Sequence, residues 1–193
     1  QEFLQFPDND TTLVFESNKL LGNISLRSGD IDSAEEFYNR AFTLDSHSDV
    51  LLVNFGTLEI QKQRYEVAKI RFTEALEVNG RNEKGWIGLA LISREFSDFE
   101  LAWGHLQRAL DINSKNETAL QLAVDWALRD SCPEKALAPI AAFLEGVPQH
   151  ADFTYFAAIL SLQSGDRKSG LEYREKLKNI EGRSKRCEEI LND

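Results

Sequence analysis

The 193 residues predict an all-α solenoid of stacked antiparallel helical hairpins. Three observations carry this. Small residues return to the same slots every 34 residues. Between those slots apolar residues recur at steps of three and four, the helical period. Turn-forming clusters fall where the corners of such hairpins belong.

With Phe15 as the first residue of a repeat, the chain divides into 15–48, 49–82, 83–116, 117–150 and 151–184. The twentieth residues are then Ala34, Ala68, Ala102, Ala136 and Gly170, and the eighth are Gly22, Gly56, Ala90, Val124 and Ala158. Bulky residues hold other slots: Leu21, Phe55 and Leu89 at the seventh, Tyr38, Phe72 and Leu106 at the twenty-fourth. Two antiparallel helices pack closely only where one supplies Gly or Ala at the crossing and a large partner fills the space beside it. One hairpin cannot bury its apolar face alone, so hairpins stack.

The elements follow in order. Residues 1–14, QEFLQFPDNDTTLV, stand outside the repeat and read as an extended strap or tail, with Phe3, Leu4 and Phe6 ahead of a Pro-Asp-Asn-Asp turn signal. In the second repeat Leu52, Phe55 and Gly56 open a first helix, and Tyr65, Ala68, Phe72, Ala75 and Leu76 mark a second. Corners are expected at SGD 28–30, NGRN 79–82, NSKN 113–116, SCPE 131–134, GVPQH 146–150 and SGD 164–166. Pro133 sits where the first turn of a helix accepts a missing N–H. The polar segment 185–193 should cap the last hairpin, as terminal repeats require.

Composition excludes several functions. A net charge of −10, scattered in mixed sign, is wrong for a protein that tracks a phosphate backbone. Apolar runs are too short to span a bilayer. Cys132 and Cys187, far apart and without Cys or His neighbours, read as unrelated thiols. His47, His105 and His150 have no nucleophile or paired carboxylate at a helical offset, and no phosphate-binding glycine loop or HExxH is present. No catalytic residue, metal site or cofactor is expected. The chain contains no methionine, so it reads as processed or excised; its compartment, cytoplasmic or periplasmic, is left open.

Trp86-x2-Leu89-Ala90, then Phe99-x2-Ala102, Ala109 and the turn at Asn113-Ser114, on a 34-residue period, resemble the tetratricopeptide repeat. The fifth repeat departs from the pattern at Thr154, Gly170 and Arg174. The resemblance implies a right-handed α-solenoid whose first helices line a concave wall, at the second, fifth, sixth, ninth, twelfth and thirteenth residues of each repeat. It further implies a non-enzymatic adaptor that binds a peptide or partner helix there. The partner-binding residues so assigned are Lys19, Asn23, Arg27, Val53, Asn54, Lys84, Ile87, Leu91, Arg94, Leu122, Tyr155 and Phe156. Leu26, Ile60 and Leu128 share the wall but are expected to pack between hairpins. Along it Lys19, Arg27, Lys84, Arg94 and Arg129 outnumber Glu16, Glu95, Asp125 and Asp152, which favours an acidic or carboxylate-terminated ligand. Lys19, Asn23, Asn54 and Lys84 also match four positions of the carboxylate clamp of chaperone-binding members. The fifth, usually Arg, is Gly88, so the bidentate guanidinium is missing. The alternatives are a self-associating structural subunit that docks through repeats four and five, and a regulatory domain of a larger protein.

Overall fold

The computed structural model describes residues 8–181 and 185–190. Two compact bodies divide the chain, residues 1–112 and 113–193. The first holds α1 (Asp8–Ser28), α2 (Ile31–Leu44), α3 (Asp49–Gln61), α4 (Tyr65–Val78), α5 (Glu83–Glu95) and α6 (Phe99–Ile112). The second holds α7 (Glu117–Asp130), α8 (Glu134–Gly146), α9 (Ala151–Gln163), α10 (Arg167–Glu181) and α11 (Lys185–Glu189). Helices pair as hairpins α1–α2, α3–α4, α5–α6, α7–α8 and α9–α10, each packed on the next hairpin of its body. The all-α hairpin class expected from the period is what the chain adopts.

One expectation fails at the start. Residues 8–14 are not an extended strap but the opening turns of α1; residues 1–7 lie outside the described residues. Asn and Asp serve turns and helix starts alike, because the side-chain oxygen that closes a turn also satisfies a free N–H at a helix N-terminus.

The period is written into the backbone as well as the side chains. Gly29, Gln63, Ser97, Ser131 and Gly165 all have positive φ, between 54° and 85°, and each is the fifteenth residue of its repeat. Each ends a first helix in the left-handed conformation, and the next residue's N–H reaches back five positions: Asp30 to Ser25, Arg64 to Glu59, Asp98 to Ser93, Cys132 to Ala127 and Asp166 to Ser161, at 2.8–3.0 Å. That bond satisfies carbonyls a helix end would leave unpaired. Helix starts are equally regular. Ser48, Asn82, Asn116 and His150, last residues of their repeats, each accept from a backbone N–H three residues on.

The small slots are where the crossings occur. A Cβ on Gly22 would lie 2.4 Å from the Tyr38 ring, and one on Gly56 2.7 Å from Phe72. Both aromatic rings are buried, so neither glycine has room for a methyl group. Later repeats trade size across the same pair of slots: Ala90 with Leu106, then Val124 with Ile140, all buried.

The departures in the fifth repeat have structural causes. Thr154 is buried and donates its hydroxyl to the His150 carbonyl at 2.8 Å. Gly170 leaves space for Leu162, whose side chain would lie 2.7 Å from an added Cβ. Arg174 replaces an apolar core residue because its Nε donates to the Cys187 carbonyl at 2.8 Å, fastening α11. Cys187 and Ile190 then close a cluster with Ala158 and Leu177. Asp152 and Arg186, one period apart, pair at 2.8 Å. The capping segment thus begins another first helix in register.

Candidate functional site

In the first body α1 meets α3 and α3 meets α5, so first helices form a common wall. Tyr38, rising from α2, donates its hydroxyl to Asn23 Oδ1 at 2.8 Å. Asn54 Nδ2 donates to the same oxygen, also at 2.8 Å. Burial pushes the Tyr38 phenol up to about 12, so it stays a donor. Asn23 Oδ1 is therefore saturated, while Asn23 Nδ2 and Asn54 Oδ1 are left to engage something else: one amide donor and one amide acceptor side by side.

Next to this pair lies a recess of about 280 Å³ lined by Asp49, Val50, Val53 and Asn54 of α3, by Asn79, Arg81 and Asn82 of the α4–α5 turn, and by Glu83 and Lys84. Asp49 holds the turn, accepting from Asn79 Nδ2 at 2.7 Å and Asn82 Nδ2 at 2.9 Å. Burial works against its charged form, but hydrogen bonds from Asn82, Asn79 and the backbone N–H groups of Val50 and Asp49 together outweigh it and hold the carboxyl below its usual range. Arg81 and Lys84 are matched here by Asp49 and Glu83, so the recess is not the basic groove that the wall's charges lead one to expect.

The structure brings Val53, Asn54 and Lys84 together in that recess and seats Asn23 on Asn54. Other expected residues are engaged elsewhere. Lys19 pairs with Glu16 at 2.7 Å and lies over the Phe15 ring. Arg94 lies over Phe99, 4.7 Å from the ring centroid. Arg27 and Leu91 are exposed. Val53 and Ile87 are not an open floor but core, 5% and 8% exposed; a charge there would disrupt packing before it touched a ligand. The clamp's missing arginine has a physical cause: a Cβ on Gly88 would lie 2.4 Å from the buried Phe72 ring.

In the second body Leu122 is half-buried. Tyr155 and Phe156 stack at 5.7 Å, but Arg186 from α11 lies over Tyr155 at 4.9 Å. That ring is therefore partly covered by the chain's own C-terminal helix, which weakens it as a docking point. The histidines have structural surroundings: His150 caps α9 and packs on Phe143 and Phe153, and His105 stacks on Trp86 at 5.5 Å.

A second recess escaped the sequence reading. It measures about 510 Å³ and is lined by Glu66, Lys69 and Thr73 of α4, Leu89, Ile92 and Ser93 of α5, and Phe96, Asp98, Leu101 and His105 beyond. Burial, then the nearby Lys69 ammonium, lowers the His105 pKa against the opposing pull of Asp98. Its sequence signal was the turn EFSDF, residues 95–99, which leaves two phenylalanines in water.

Residues 16–48 match the family model described as tetratricopeptide repeat. Among solved structures, the chain is similar to YrrB, "a TPR protein with an unusual peptide-binding site", at 25% identity and a TM-score of 0.63, covering 95% of this chain and 98% of that one. It also resembles PilW, a type IV pilus biogenesis factor, at 17% identity and TM-score 0.69, covering 92% and 82%. MamA follows at 15% identity and TM-score 0.65, covering 87% and 92%. The last two likenesses concern the fold alone. Comparison with curated proteins finds no match.

Proposed function

Because the chain is a tandem array of tetratricopeptide repeats, we propose that it is a protein-binding module that holds an extended peptide against α1, α3 and α5. Repeats of this kind are generally interaction scaffolds and non-catalytic. The observation that carries the reading is the Asn23–Asn54 pair. It leaves one donor and one acceptor beside a recess, the complement of a single peptide unit's C=O and N–H. Val50 supplies apolar contact, and Lys84 the charge contact for a carboxylate. With acidic and basic groups balanced at the recess, affinity comes from backbone and shape more than from net charge. The peptide-binding site named for YrrB makes the same use of this fold a reasonable one here.

The larger recess between α4, α5 and α6 supports a second reading, in which a partner's apolar side chain inserts beside Phe96 and Leu101. Peptides selected by display against the whole chain separate the two. On the first reading Asn54→Ala and Lys84→Glu each weaken the selected peptide about tenfold or more, while Leu101→Asp does nothing. The reverse pattern transfers the function to the second recess.

A further inference from the structure

α1 has two apolar faces. Phe15, Gly22 and Leu26 turn into the core. Opposite them Leu13, Leu20 and Ile24 are 66%, 58% and 56% exposed, and Val14 and Leu21, at 49% and 43%, widen the strip. The largest contiguous apolar patch on a monomer is often a functional one.

The strip has a period of its own. Asp10, Leu13, Ser17, Leu20, Ile24 and Arg27 follow steps of three and four in strict alternation, the spacing of a coiled-coil seam. It is also self-complementary when reversed. Two antiparallel copies of α1, related by a two-fold axis between Asn18 and Lys19, set Leu13 against Ile24, Ser17 against Leu20, and Asp10 against Arg27, each twice. The small Ser17 leaves the hole that Leu20 fills. Opposite charges meet at both ends, whereas a parallel pair would set Asp10 on Asp10 and Arg27 on Arg27. Both side chains are exposed, and neither has an ion-pair partner among the described residues.

From this reversed complementarity we infer that a second copy of the chain covers α1, giving a two-fold dimer built on an antiparallel α1–α1 seam. One helix from each copy is less than a standard interface, so the dimer dissociates in the micromolar range.

Sedimentation equilibrium on the whole chain tests this. The expected mass is twice 21.9 kDa at tens of micromolar, falling to the monomer on dilution. Leu20→Glu with Ile24→Glu should give a monomer with unchanged far-ultraviolet circular dichroism. Asp10→Arg and Arg27→Asp should each weaken the dimer about tenfold by opposing like charges, and the two together should restore it. The proposal is overturned if the unaltered chain stays monomeric to about 100 μM, as it would if its own residues 1–7 covered the strip. It is equally overturned if a dimer survives the two glutamates, or if the double charge swap is no better than either single change.

Discussion

At Gly88 the question is what one methyl group would do. Gly88→Ala places a carbon against the ring of Phe72, which is 2% exposed and cannot swing into water. The expected cost is about 1–3 kcal/mol of overpacking, read as a lower urea midpoint at unchanged slope. The left-handed positions give the opposite sign. Gln63, Ser97 and Ser131 occupy a slot that Gly29 and Gly165 fill without strain. Ser97→Gly should therefore stabilise by about 0.5–1 kcal/mol, the left-handed penalty less the extra freedom glycine has when unfolded; a destabilised variant would show that Ser97 is held by its side chain instead. The sequence displayed the small slots because size alone recurs there. It did not display their neighbours, so the Gly88–Phe72 contact was invisible. Val53 and Ile87 lie deeper than the sequence leads one to expect, for a related reason. They share the fifth slot with Lys19 and Gln121, and only the packing around each one decides whether that slot is core or surface.

Among the elements, the end of the chain was the more legible. A polar segment after the last hairpin is expected to cap it, and Cys187 of α11 and Ile190 just beyond it pack against Ala158 and Leu177, with Arg174 hydrogen-bonded to the Cys187 carbonyl. Deleting residues 183–193 should uncover Ala158, Leu177 and Tyr155, lower the melting temperature and raise light scattering on heating. A truncated chain with unchanged melting and scattering would show that α10 closes the array alone. The start of α1 was less legible, because its first residues have the composition of a turn and lie ahead of Phe15, where the 34-residue register begins. Only the uninterrupted helical run after Asp8 decides the matter.

Over the whole molecule, acid should act through a small set of carboxylates and one histidine. Asp30 and Asp166, helix caps, are held below their usual range by hydrogen bonds from Ser33 and Ser169, and Asp49 is lowered despite its burial. A carboxyl whose folded pKa is depressed stabilises the fold above its unfolded value, near 4, and loses that contribution as pH falls through the folded value. These carboxylates should therefore make stability fall below about pH 4, while His105, whose lowered pKa lets the unfolded chain bind a proton first, should add a shallower decline that begins below about pH 6.5. Asp49→Ala should differ from the unaltered chain at pH 6 and converge with it near pH 2, by urea unfolding; a constant gap would assign the effect to lost packing instead of charge. The repeat also limits how such a molecule can be rebuilt. Tandem arrays change by copying and exchanging their units, yet Phe72 rests on Gly56 of its own repeat and Gly88 of the next. The residue equivalent to Gly88 in the fourth repeat is Leu122, so moving that repeat behind the second would drive a leucine into the ring. The second and third repeats are consequently a single heritable piece, and an arginine clamp at position 88 could arise only after Phe72 had first become smaller.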